Sequence, residues 1–296
     1  ITKKDFVLSL MGFVFEKEQI VGKAEEYAKT YGMIGVGETF NEGEQISTAE
    51  AARYAVGLLG YNAKAESYGG YPEGYIRTAS ELKITTGIAV DEKTKLNQSD
   101  YTKILYKMLD AEPMGVTFKD SAAGAMKVRK GETLLSIYRD IYKINGLQTA
   151  DENTSLYGEN GEGDGYIAVD DTRYAISDNI TDTFIGRNVT VFYKEDNSNY
   201  PQIMSITQRA SKNDIITVDA EDIQNIADDF SVIEYENEKS NIKKLKIDSV
   251  PKVIYNGVFY GAYTKADLMP DEGNLCLIDN NSDGKYDVII VTSYEI

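Results

Sequence analysis

The sequence predicts an α+β multidomain chain, with a helical bundle of repeated units at its N-terminal end and an antiparallel β-rich barrel or sandwich region after it. Three observations predict this. A helix-start signal recurs at Ile1, Ile46 and Leu96. From Lys143 onward the apolar residues change to a period of two, with glycine-bearing turns between the runs. Hydrophobic content of 42% and charged content of 27% are those of a folded chain, and 296 residues suffice for two or three cores.

The clearest helix is 46–60. Ser47 is placed to cap it, and Glu50, three residues on, to reach back to the cap's own N–H. Ile46 precedes the cap, where an apolar side chain folds over the first turn. Ala51, Val56 and Leu59 share a face that Ala55 and Leu58 widen, and Gly60 stands where a left-handed residue ends a helix. Ile1-Thr2-Lys3-Lys4-Asp5-Phe6 and Leu96-Asn97-Gln98-Ser99-Asp100-Tyr101 repeat the signal. A spacing near 50 residues reads as a repeat. The three capped helices, near 2–14, 47–60 and 97–110, are expected to pack as one bundle that buries Phe6, Leu10, Val56, Leu59, Ile104 and Leu105, because each has a single apolar face. Second helices are expected at 17–31 and 74–84. Glycine and proline mark 68–75 as loop. Its Tyr68, Tyr71 and Tyr75 read either as packing over the bundle or as a surface that stacks on a sugar.

Residues 113–143 read as a transition, with a strand from Met114 to Phe118 and a helix from Leu134 to Tyr142. Strands are then expected at 143–150, 165–169, 172–176, 187–194, 202–208, 214–218, 230–236, 242–248, 252–260, 274–279 and 287–293. The stretch 219–223 reads as a helical turn capped by Asp219. Gly158 to Gly165 reads as a flexible, acid-bearing hairpin loop. The domains expected are 1–112, 113–218 and 219–296.

Composition narrows the chemistry. Net charge is −17, of which residues 113–296 hold −13. Such a surface repels nucleic acid and anionic lipid, and no basic stripe with interleaved aromatics occurs, so no nucleic-acid partner is expected. No apolar run reaches the ~20 residues of a membrane helix. The chain has no histidine, which excludes Ser-His-Asp and Cys-His catalysis and imidazole zinc sites. Its one cysteine, Cys276, lies in an apolar run and reads as a small core residue. Ile1 is not an initiator, so a mature form or an excised piece of a longer chain is expected.

The N-terminal pattern resembles the S-layer homology (SLH) domain. Ile46-Ser47-Thr48-Ala49-Glu50 is similar to the Ile-Thr-Arg-Ala-Glu that opens each repeat of that family, and Ala79-Ser80-Glu81-Leu82-Lys83-Ile84-Thr85-Thr86-Gly87 to the repeat's ending. The resemblance covers about the first 110 residues. It implies a bacterial, extracellular, cell-surface protein held on the cell wall through a wall polysaccharide. The family's arginine after the cap is Lys3, Thr48 and Gln98 here, and its tryptophan is missing, so binding of the wall polymer is expected to be weak or absent. The β-rich half is faintly similar to segments that accompany such repeats in clostridial surface proteins. A run from Val128 to Ile137 opens like a LysM module, but Asn145-Gly146 replaces that module's second helix, and a plain helix then strand is expected.

One constellation carries its own chemistry. In Asp279-Asn280-Asn281-Ser282-Asp283-Gly284-Lys285-Tyr286-Asp287, oxygen side chains alternate ahead of a glycine. Such a loop can wrap one hard cation. Asp279, Asn281, Asp283 and Asp287 would offer side-chain oxygens and Lys285 its carbonyl to Ca2+. The same residues also suit an empty hairpin tip. The function expected is a non-enzymatic structural or anchoring protein of a bacterial surface, with wall polysaccharide or other surface proteins as partners. The alternatives are a secreted carbohydrate-active enzyme and a calcium-dependent adhesin.

Overall fold

Two reciprocal capping boxes and a simple cap start the three principal helices. In the computed structural model, which describes residues 1–35, 37–117, 125–158, 160–177, 180, 183–195 and 199–294, Thr2 and Asp5 exchange bonds at the start of α1 (Lys3–Met11). A short α2 (Lys17–Ile20) and α3 (Ala24–Thr30) follow. Ser47 and Glu50 form the second box, ahead of α4 (Thr48–Leu58). After α5 (Asn62–Ser67) and α6 (Glu73–Glu81), Asn97 accepts from Asp100 N–H to start α7 (Gln98–Met108). Gly60, at φ +80°, ends α4. The Tyr61 N–H donates to Val56 O and the Gly60 N–H to Gly57 O, the pair of bonds that closes a helix on a left-handed residue.

The chain divides into two units, Ile1–Ile141 and Tyr142–Ile296. In the first, α1, α4 and α7 share one core. Phe6, Leu10, Val56, Leu59 and Ile104 are fully buried in it. Leu105 is only partly buried, because Ile104 and Met108 already occupy the inward face of α7. The entry segments also pair: Ile46 N–H donates to Ile1 O and Leu96 N–H to Ile46 O, so each helix start lies beside the next. The helix expected over 17–31 is broken, because Gly22 takes φ +74° and Val21 is extended.

Contacts also assign 113–141 to this first unit, where the sequence suggests a boundary at 112. Met114 N–H donates to Leu59 O, and Leu134, on α8 (Leu134–Arg139), lies in the helical core. The Arg139 guanidinium donates to the carbonyls of Gly12 and Phe15. The small ribbon of β1 (Met114–Thr117) and β2 (Ala125–Val128) precedes α8, and Phe118 lies outside the described residues.

In the second unit β3 (Ile141–Ala150), β4 (Tyr166–Val169), β5 (Thr172–Ala175), β6 (Asn188–Lys194) and β7 (Gln202–Gln208) close a barrel in the order β3-β4-β5-β7-β6. Val189, Val191, Ile203, Ile167, Val169 and Tyr174 fill it. A second sheet runs β8-β13-β14-β11-β10-β9. Its strands are β8 (Asp214–Asp219), β9 (Ile223–Ile226), β10 (Val232–Glu236), β11 (Ile242–Tyr255), β13 (Gly273–Asp279) and β14 (Tyr286–Ser293), with β12 (Val258–Phe259) paired on β11. The expected boundary at 218 therefore falls inside β8, whose Val218 pairs with Leu275. The expected turn at 219–223 is a 3-10 turn over Ala220–Asp222 that leads into β9. Among the described residues two pairings depart from the antiparallel expectation: β5 with β7, and β11 with β14. The chain crosses over between β11 and β13, so β14 meets β11 running the same way. Cys276, on β13, packs half-buried against Leu156, Ile254 and Val288. No helix among the described residues is long and apolar enough to cross a membrane.

Candidate ligand groove and acidic loop

The pairing of helix entrances brings Lys3, the first residue of α1, against the first turn of α4. The Lys3 ammonium lies 2.7 Å from both Glu44 and Glu50. Desolvation lowers the Lys3 pKa, but the two carboxylates outweigh it and hold it well above the ordinary lysine value. One turn along α4, Arg53 Nη1 donates to both carboxylate oxygens of Glu38, at 3.1 and 2.9 Å. The Arg53 guanidinium carbon stands 4.9 Å from the Tyr71 ring centroid and 5.5 Å from that of Tyr75. Lys3, Glu38, Glu50, Arg53 and Tyr71 line a cavity of about 270 Å3 with Ile34, Thr39 and Tyr54. Arg53 Nε is buried there without a hydrogen-bond partner.

The electrostatics of the groove are those of cations already engaged. Desolvation opposes ionisation of Glu38, yet the Gly35 N–H and Arg53 hold it below the usual carboxylate range. Burial raises Tyr71. Burial and the bond to Glu66 push Tyr75 up to about 12. Of the three tyrosines read from the sequence, Tyr75 is 3% exposed and packs in the core. Tyr71 packs on the core's edge and lines the groove, and Tyr68 lies under Arg77 at 3.9 Å. Of Lys3, Thr48 and Gln98, the residues that follow the three caps, Lys3 alone lines the groove. Thr48 is buried and donates to Asp91 O. Arg53 and Glu38, both at the groove, are not among the site residues that the sequence suggests. The spacing of Glu50 and Arg53, which puts both on one helix face, is a signal for the first. Nothing local marks the second.

The loop from Asp279 to Asp287 joins β13 to β14 as a hairpin tip. Asp279 is 4% exposed. Its carboxylate accepts from the N–H groups of Asn281, Ser282 and Gly284. Asn281 Oδ1 accepts from Asp283 N–H, and Asp283 from Lys285 N–H. Asp287 accepts from Asn280 N–H and from the Asn281 amide. The five residues read as calcium ligands thus share one turn, with the acids bonded to its backbone and to Asn281. Among the described residues no group of three or more His, Cys, Asp or Glu is gathered as a metal site. Burial, and behind it the charges of Asp279, Asp283 and Asp248, raise the Asp287 carboxyl above the usual range; the Asn280 N–H opposes them.

A further cavity, of about 570 Å3, opens at the barrel, lined by Asp151, Glu152 and Asp164 over Ile167 and Ile176. Asp151 is spent on the N–H groups of Asn153 and Thr154, and Glu152 on that of Gly165. These carboxylates shape turns.

The chain matches no family model, no curated protein and no solved structure.

Proposed function

We propose that this chain is a non-enzymatic structural or anchoring protein of a bacterial cell surface, and that its helical unit holds a carboxylate-bearing wall polysaccharide weakly through Lys3, Arg53 and Tyr71. The observation that carries the reading is the meeting of an ammonium, a guanidinium and a tyrosine ring in one 270 Å3 cavity. A guanidinium fork suits a carboxylate, a lysine adds a point charge, and an aromatic face suits the C–H face of a sugar ring. The repeated capped helices support an SLH-like unit. Weakness follows from the acids that Lys3 and Arg53 already carry. Co-sedimentation of the full chain with purified Gram-positive wall sacculi tests this: the native chain binds, and Arg53→Gln does not.

Calcium binding at the Asp279–Asp287 loop is a second proposal. Burial chiefly raises the Asp287 carboxyl, with the charges of Asp279, Asp283 and Asp248 behind it, and a cation among these acids would relieve that charge. Asn281, Asp283 and the Lys285 carbonyl would complete the ligand set. Binding requires the acids to give up bonds to the turn, which predicts millimolar rather than micromolar affinity.

A further inference from the structure

We propose that Glu38 is a built-in competitor for the groove, a carboxylate of the chain itself that occupies Arg53 and must swing away when an acidic saccharide binds. The inference rests on the groove reading above and adds its regulation. The segment between α3 and α4 carries Glu38, Glu42 and Glu44, and each pairs with a cation of the helices: Arg53, Lys4 and Lys3. Only the Glu38 pair engages a guanidinium within the cavity. Its geometry is that of a ligand, with both oxygens on Nη1. Glu38 is nevertheless held loosely, its side chain 48% exposed while that of Arg53 is 12% exposed. Its other tie among the described residues is one bond from Gly35 N–H, at 2.9 Å. Rotation of this one side chain into water clears the guanidinium without moving a helix. Arg53 Nε is buried and has no hydrogen-bond partner while Glu38 is bound.

An occupied guanidinium lowers apparent affinity by the fraction of time it is free. A half-exposed pair of this kind lowers it about two- to sixfold. The test titrates glucuronate into the full chain and follows the Arg53 side-chain N–H resonance and the tyrosine fluorescence. Glu38→Gln is expected to bind about two- to sixfold more tightly than the native chain, and Arg53→Gln to lose binding. Glu42→Gln removes an acid of the same segment outside the cavity and is expected to leave affinity unchanged. Circular dichroism verifies the fold of each variant, and Glu38→Ala repeats the test if Glu38→Gln is unfolded. Equal or weaker binding by the Glu38 variant overturns the competitor and leaves the groove reading standing. An equal gain in Glu42→Gln also overturns it, because bulk charge then explains the effect. No binding by the native chain or by either Glu38 variant overturns the groove reading and the competitor together.

Discussion

Lys3 Nζ lies 2.7 Å from Glu50 Oε1, while the other oxygen of Glu50 accepts the Ser47 N–H. One carboxylate thus closes the cap of α4 and ties α4 to the start of α1. Lys3→Met is expected to leave Glu44 and Glu50 facing each other without their cation. The cost is about 1–2 kcal/mol, less than for a fully buried pair because Glu44 is half exposed. Lys4→Met, whose pair with Glu42 is open to water, is expected to leave stability essentially unchanged. Urea unfolding of both variants checks the difference.

The caps are unequal. Ser47 is buried and bonds Glu50 in both directions. Asn97 is exposed, and its amide rather than its backbone meets Asp100. Ser47→Ala is expected to cost about 1 kcal/mol and Asn97→Ala about half that. Thermal melts followed by helical circular dichroism measure both. A larger loss in Asn97→Ala contradicts the assignment.

Acid should unfold the helical unit through particular carboxylates. Asp5 is held below the ordinary value of 3.8 by the Thr2 hydroxyl and N–H. Asp91 is held below it by Thr94 and the Lys93 N–H, and Asp100 by Lys103 and Asn97. A carboxyl lowered on folding stabilises above its unfolded pKa. That contribution is lost as pH falls through 3.8 towards the folded value. The urea midpoint of the helical signal is therefore expected to be flat from about pH 7 to 5 and to drop below about 4. Asp5→Asn is expected to have a shallower drop.

Helix starts were legible because caps are local: Ser47, Glu50 and Gly60 lie within one short stretch and do what their chemistry suggests. The core face followed from spacing, except at Leu105, where the inward arc of α7 is narrower than the pattern. The break at Val21-Gly22 was hidden because an isolated glycine is tolerated in many helices. The parallel pairing of Ile254 with Ile290 joins residues far apart in the chain, and no periodicity encodes direction. Arg53 was legible in principle from its spacing to Glu50; Glu38 was not, since a loop of undefined path brings it there.

Calcium is expected to raise the melting temperature of the second unit modestly. With a dissociation constant of ~0.1–1 mM, ~1 mM free calcium adds ~0.4–1.4 kcal/mol. The rise should vanish in Asp283→Ala and in chelator. Equal responses from native and variant chains would mean that Asp279–Asp287 is only a turn.

Binding isotherms of the full chain on purified wall sacculi, read by co-sedimentation at several salt concentrations, test the groove as a polysaccharide site. Weak, saturable binding that falls as salt rises is expected. It should disappear from sacculi stripped of their acidic polymers by hydrofluoric acid, disappear in Arg53→Gln, and persist in Asp283→Ala. Tight binding that survives both Arg53→Gln and removal of the acidic polymers, or no binding by the native chain, would contradict such a site.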